Sequence, residues 1–276
     1  MATAKELFDS GHLQAAIDQL TAEVKASPTD VSRRTFLFEL LCFAGEWDRA
    51  EKQLEVIGHQ DVKAEIGVQI YHHNIAAERL RRRVFTEGQR PKFLAKPPEY
   101  VLLHLMAVNQ IKEGDYEAAR RLLDQAEEAR PALAGRFNDQ PFEDFRDANE
   151  LVAPALELIA QGEYVWLPFE QIHGLEISPP AQLRDLLWAR ARIETTEAVG
   201  GFAGEAFVPA LYSGSEKDGN NQVRLGRMTD WRQVSEDFAT PLGLRLFIIG
   251  DEDLAIFDLE KIEFSSAAAR PPSETT

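Results

Sequence analysis

Gly45-Glu46-Trp47-Asp48-Arg49-Ala50 decides how this chain is read, because the same grammar returns as Gly11-His12-Leu13-Gln14-Ala15-Ala16 and as Gly114-Asp115-Tyr116-Glu117-Ala118-Ala119. Each copy is a Gly, any residue, a large apolar residue, two free positions and an Ala. Gly45 follows Gly11 by 34 residues, and Gly114 follows Gly45 by 69, close to two further steps of the same length. Pro28 and Pro131 each stand 17 residues after the glycine of their copy, and Val62 takes that place in the middle one. A 34-residue period with these residues is the sequence mark of tetratricopeptide helix pairs, in which Gly ends one helix, the apolar residue and Ala open the next, and Pro closes the unit.

Each residue type has a physical job. Gly tolerates the positive φ at which a helix ends, and Ala leaves room where antiparallel helices approach closely. The large apolar residue fills the gap between neighbouring pairs, so Trp47 is expected buried there, with a cost of roughly 3 to 5 kcal/mol on truncation to Ala. The competing reading is three unrelated helix-turn-helix corners, which often contain Gly but need not keep step.

Outward from the repeat, Leu13, Ile17, Leu20 and Val24 form the apolar stripe of an early helix. The stretch 31–43 is apolar nearly all round and is expected to be covered on more than one side. Residues 62–86 lack the Gly-x-apolar corner and read as one long helix, a degenerate repeat. Pro91, Pro97 and Pro98 make 88–98 a loop, with Phe93 and Leu94 as its anchors. The last clear pair is 99–112 with 115–129. The first domain is therefore 1–135, a tetratricopeptide-like helical superhelix.

Residues 136–163 read as a connecting helix, with Pro154 early in it and Gly162 ending it. From 164 to 266 β-type residues take over, with strands expected at Tyr164–Leu167, Leu175–Ile177, Leu183–Trp188, Ala191–Thr195, Phe207–Leu211, Arg245–Ile249 and Ala255–Phe257. The fold class is α+β, the second domain a small sheet or open barrel. Gly214–Asn221 is expected to be a mobile hairpin tip and 267–276 a disordered tail.

With 276 residues, 44% hydrophobic and 28% charged, the composition is that of a globular protein able to bury a sizeable core. No run approaches the length of a membrane span, and Met1–Phe8 lacks the basic-then-apolar order of a secretory leader, so a cytoplasmic protein is expected. Cys42 is the only cysteine and sits among apolar neighbours, where a thiol behaves as a small hydrophobe. A net charge of −16 argues against nucleic acid. One local exception is the run Glu78-Arg79-Leu80-Arg81-Arg82-Arg83, which is either a solvated face paired with acidic neighbours or a docking patch for an acidic segment, with Arg79, Arg82 and Arg83 as its contacts.

The six histidines show no metal-ligand spacing, Gly200–Gly204 has no Lys-Ser/Thr after it, and no Gly-x-Ser-x-Gly elbow occurs. No cofactor, metal or catalytic residue is singled out, and an enzyme is not expected.

Four C-terminal segments carry a resemblance: Tyr164-Val165-Trp166-Leu167-Pro168-Phe169-Glu170-Gln171-Ile172, Leu183 to Ile193, Phe207 to Ser215, and Leu225-Gly226-Arg227-Met228-Thr229-Asp230-Trp231. With Phe43 to Ala50 they resemble the ImpE family, also called SciE or TagJ, over nearly the whole chain. Ala189-Arg190-Ala191 departs from the Arg-Pro-Ala of relatives and bears on a local turn. The resemblance implies a non-catalytic accessory protein of bacterial type VI secretion that binds the N-terminal helix of the small contractile-sheath subunit, with a link to the ClpV-type disassembly ATPase. The rival readings are a chaperone or scaffold for another protein and a hydrolase with its site in the β half.

Superimposing the three corners puts Thr35, Glu39, His104 and Val108 on the inner surface of their first helices, with Gln69 and His73 from the degenerate unit between them. This face either receives a partner helix through anchors at i, i+3 or i+4 and i+7, or is merely solvated or packed under the β half. If it receives a partner, Glu39→Lys with His104→Trp should abolish binding and leave the melting temperature nearly unchanged.

Overall fold

The structure, a computed structural model, describes residues 2–60, 64–236 and 238–265. Seven helices come first: α1 (Ala4–Asp9), α2 (Leu13–Ala26), α3 (Val31–Phe43), α4 (Trp47–Gln60), α5 (Glu65–Glu87), α6 (Glu99–Glu113) and α7 (Tyr116–Ala129). α1 with α2, α3 with α4, and α6 with α7 form the pairs, and Gly11, Gly45 and Gly114 turn each corner at φ of 81°, 69° and 80°. Thr3 and Glu6 close a reciprocal capping box on α1, while Asp30 and Asp115 accept from the backbone N–H groups of Arg33 and Ala118. α5 packs between α4 and α6 as a single long helix, the degenerate unit.

The strands are β1 (Gly135–Phe137), β2 (Gln140–Phe142), β3 (Phe145–Asp147), β4 (Ala155–Ala160), β5 (Glu163–Pro168), β6 (Ile172–Ile177), β7 (Trp188–Thr195), β8 (Ala203–Pro209), β9 (Thr229–Ser235), β10 (Phe238–Gly243), β11 (Leu246–Ile249), β12 (Glu252–Ala255) and β13 (Lys261–Phe264), with a short helix α8 (Asn221–Arg224) between β8 and β9. They make an antiparallel eight-stranded sheet in the order β2-β1-β13-β6-β7-β8-β4-β5, a three-stranded sheet β12-β11-β3, and the ribbon β9-β10. The sheet is larger than the small sheet expected.

Period-two alternation divides its faces. Tyr164, Trp166, Ala155, Ile159 and Trp188 join the core of the helical half, whereas Val165, Leu167, Leu156, Leu158, Ala189 and Val208 enter a second core with Phe145, Phe247 and Phe264. One face thus carries the helices and the other is closed by the three-stranded sheet. The outer edge of β5 is covered by the Pro-rich loop: Lys92 N–H donates to Tyr164 O at 3.0 Å and Lys92 O accepts from Trp166 N–H at 2.9 Å. An edge strand covered in this way cannot pair with a stranger. Phe93 anchors the loop in the core, whereas Leu94 is exposed.

Several expectations are corrected. The stretch 136–163 is no connecting helix but four strands, with a short 3₁₀ turn at Glu150–Val152. Two hairpins give the reason: Asn138-Asp139 and Gln161-Gly162 all have positive φ, the mark of the two-residue turn that matches strand twist. Leu183–Leu186 is a 3₁₀ turn ahead of β7, and β12 gives way to another at Ile256. Gly214–Asn221 contains a 3₁₀ turn at Ser215–Lys217 and runs into α8, held by buried Ser215, which donates to Tyr212 O at 2.6 Å and accepts from Gly243 N–H at 2.7 Å. Trp47 is half-buried, not enclosed between helix pairs, and its ring lies 6.5 Å from that of Trp188 in β7. The expected tail, 267–276, lies outside the described residues.

Candidate binding groove

The first three helices and the turn before β7 enclose a groove of about 820 Å³. Phe8 of α1, Leu20 of α2, Phe36 of α3 and Leu183 and Leu186 of the turn line it, and Lys5, Glu23, Arg33 and Gln182 stand among them. Phe8 and Phe36 meet edge to face at 5.8 Å. Phe8 is fixed from behind by Arg227, whose guanidinium lies 5.1 Å from the ring centre and donates to Phe8 O and Asp9 O at 2.8 and 3.1 Å. An apolar floor with an interrupted charged border is the form that accepts the apolar side of an amphipathic helix.

The turn belongs to the groove because of its own capping. The Asp185 carboxylate accepts from the backbone N–H groups of Ala181 and Gln182, both at 2.9 Å, and this presents Leu183 and Leu186 to the helices. Next in the turn, Arg184 donates to Glu39 of α3 at 2.7 Å and lies over the Tyr71 ring at 5.0 Å. Burial pushes the Glu39 carboxyl above its ordinary value, against the pull of Arg184.

The residues expected to form the inner surface are therefore placed otherwise. Glu39 is buried under Arg184, His104 and Val108 are buried in the helical core, and Thr35 is half-buried with its hydroxyl donating to Val31 O of its own helix. Neither ring nitrogen of His104 has a hydrogen-bond partner, and burial lowers its pKa to about 4. His104 and Val108 are covered because α6 packs against α5, α7 and the Glu150–Val152 turn, whereas Glu39, paired with Arg184, still borders the groove. Gln69 and His73 are exposed on α5, and His73 packs on the turn at Gly162.

The arginine run divides. Arg79 donates to Asp48 and Glu51 at 2.6 and 2.7 Å, Arg82 lies 3.7 Å from Glu216, and Arg83 is exposed. All three border an open depression of about 600 Å³ beside Gly45 and Trp47. Acidic neighbours of the same chain thus neutralise much of the patch.

What the sequence reading missed is a buried charge network between α5 and the sheet. Arg81 pairs with Glu157 at 2.8 and 3.2 Å and donates to Leu211 O at 2.9 Å, while Arg245 reaches both Glu157 and Asp147. Tyr164 donates to Glu157 and accepts from Trp166 Nε1 at 2.6 Å. Burial by itself would raise the Glu157 carboxyl, but the two guanidinium groups outweigh it and hold it well below the usual range. Asp147, with Arg245 as its one cation, is pushed by burial up to about 6. The available signal was Glu157, a lone charge in the apolar run Ala155 to Ile159, since a buried carboxylate requires a cation. Among the described residues no group of three or more His, Cys, Asp or Glu could hold a metal ion, and no helix is long and apolar enough to cross a membrane.

Residues 139–263 match the family model described as ImpE protein. The chain is 39% identical over 266 residues to a Pseudomonas aeruginosa protein named type VI secretion system accessory component TagJ, covering 96% of this chain and 92% of that one. It superimposes on the crystal structure of protein VPA1032 from Vibrio parahaemolyticus with a TM-score of 0.87 at 29% identity, covering 95% of this chain and 97% of the other. Helices and sheet are thus shared as one unit, and this chain belongs to the ImpE family, the family of TagJ.

Proposed function

We propose that this chain is a non-catalytic adaptor of bacterial type VI secretion that seats the N-terminal helix of the small contractile-sheath subunit in the groove of α1, α2 and α3. The observation that supports this reading is the groove itself, which gathers Phe8, Leu20, Phe36, Leu183 and Leu186 into an apolar lining of the kind that takes the apolar side of an amphipathic helix. The name of the Pseudomonas relative, an accessory component of that secretion system, supports the same assignment. On this reading the adaptor works in the cytoplasm and brings the sheath to its ClpV-type disassembly ATPase.

Calorimetric titration of the full chain with a synthetic peptide of the sheath subunit's N-terminal helix tests it. Binding is expected, and Phe36→Asp or Leu183→Asp should each weaken it by at least about tenfold, the loss of one buried apolar anchor. Arg83→Glu should leave it unchanged. The opposite pattern, loss with Arg83→Glu and none with the groove variants, would move the partner to the Arg79, Arg82 and Arg83 depression.

A further inference from the structure

We propose that Arg227, which follows α8 in the sheet half, is the positioning residue of the groove: it holds α1 in place and so sets the affinity of the site for its partner helix. This rests on the reading of the groove given above. Of the lining elements, α1 is the least able to hold itself. It has 6 residues, far short of the roughly 12 that an isolated helix needs to persist in water. It packs chiefly on α2, and Phe8 alone carries its aromatic contacts to Phe36 and Phe43 of α3.

The two ends of α1 are closed by different means. Thr3 and Glu6 cap the first. At the second, the N–H groups of the corner go to Glu6 O, Leu7 O and Phe8 O, and Asp9 O is met by Arg227 at 3.1 Å. The same guanidinium donates to Phe8 O at 2.8 Å and lies 5.1 Å from the Phe8 ring centre. A cation is favourable both at the carbonyl end of a helix and on an aromatic face. One side chain thus fixes the helix end and the ring that lines the groove.

Arg227 is itself rigidly mounted. α8 ends in a Schellman turn, in which Gly226, at φ 63°, donates to Val223 O at 3.0 Å and Arg227 N–H donates to Gln222 O at 2.9 Å. Val223 and Leu225 are buried beneath it. Gln222 approaches the α1-α2 corner beside Arg227, so closely that a Cβ on Gly11 would stand 2.4 Å from its Nε2. The sheet half therefore holds that corner with two neighbouring side chains. If α1 opened, Phe8 would leave Phe36 and the groove would lose a wall. A partner would have to reorder it, and its apparent affinity would fall with the fraction of chains in which α1 is closed.

Hydrogen exchange and calorimetry on the full chain test this together. Leu7 and Ser10 N–H bond to Thr3 O and Glu6 O at 3.1 and 3.0 Å and report on α1. Arg227→Ala should speed their exchange about tenfold, leave α3 and α4 unchanged, and keep the urea midpoint. It should also weaken the sheath-helix peptide about tenfold. Arg227→Lys, which keeps a cation on the ring and a donor at the helix end, should bind within about threefold of wild type. Unchanged exchange in α1, faster exchange throughout the helical half with a lower urea midpoint, or wild-type peptide affinity in Arg227→Ala overturns the proposal. The exchange measurement does not use the peptide. If the wild type binds no peptide, the function proposed above fails, whereas faster exchange confined to α1 still supports the clamp and unchanged exchange overturns it.

Discussion

Arg81 and Glu157 stand 76 residues apart in the chain, yet Nε of the first lies 2.8 Å from Oε1 of the second, with both side chains almost completely buried. This contact ties the long helix of the repeat array to the middle of the sheet and makes the two halves one packing unit. Removing two charges from water is costly, and the cost is offset only because every partner is met: Arg245, Tyr164 and Leu211 O complete the set.

Arg81→Met should therefore destabilise the protein by about 3 to 5 kcal/mol, the usual penalty for leaving a buried charge short of its partner. Urea unfolding read by tryptophan fluorescence measures it. A loss under about 1 kcal/mol would mean that water enters the network and that the halves are held by apolar packing alone.

Glu39→Lys should lower stability by about 3 kcal/mol, because it sets an ammonium against Arg184 in a covered site. Glu39→Gln should cost far less, since a neutral amide can still accept from Arg184. If Glu39→Lys keeps the wild-type melting temperature, that face of α3 is open to solvent and Arg184 does not cover it.

His104 gives a pH signature. Its folded pKa of about 4 lies below the ordinary 6.5, so between those values the unfolded chain holds a proton that the folded chain does not. Stability must then rise with pH across that window, by up to about 3 kcal/mol from this one group. The difference in unfolding free energy between wild type and His104→Leu, followed from pH 4 to 7, isolates the effect from other titrating groups. Parallel curves for the two proteins would show that the imidazole is hydrated.

The repeat glycines should differ in sensitivity. An Ala at Gly114 meets nothing within 4 Å and bears only the strain of φ +80°, about 1 kcal/mol. At Gly45 the same methyl would stand 2.4 Å from Glu216 Cγ as well, so Gly45→Ala should cost about 1 to 3 kcal/mol more. Thermal unfolding of the two variants compares them, and equal losses would show that the 214–221 segment yields freely.

By itself the sequence determined whatever depends on neighbours along the chain. The glycine corners were legible because positive φ at a helix end is a local demand, α3 because it is apolar nearly all round, and α5 because nothing in 65–87 breaks its helix. The family was legible as well, since it rests on short runs of residue identity. Other features were not local. Ala155 to Ile159 reads as helix or strand equally well at that length, and its pairing with β5 and β8 decides between them. The inner face of α3 looked open until Arg184, 145 residues later, came down on Glu39. Trp47 looked like a filler between repeats until Trp188 of the sheet supplied its neighbour. Only tertiary structure settles these, because burial and charge pairing are set by which distant surfaces meet, and no spacing along the chain encodes that meeting.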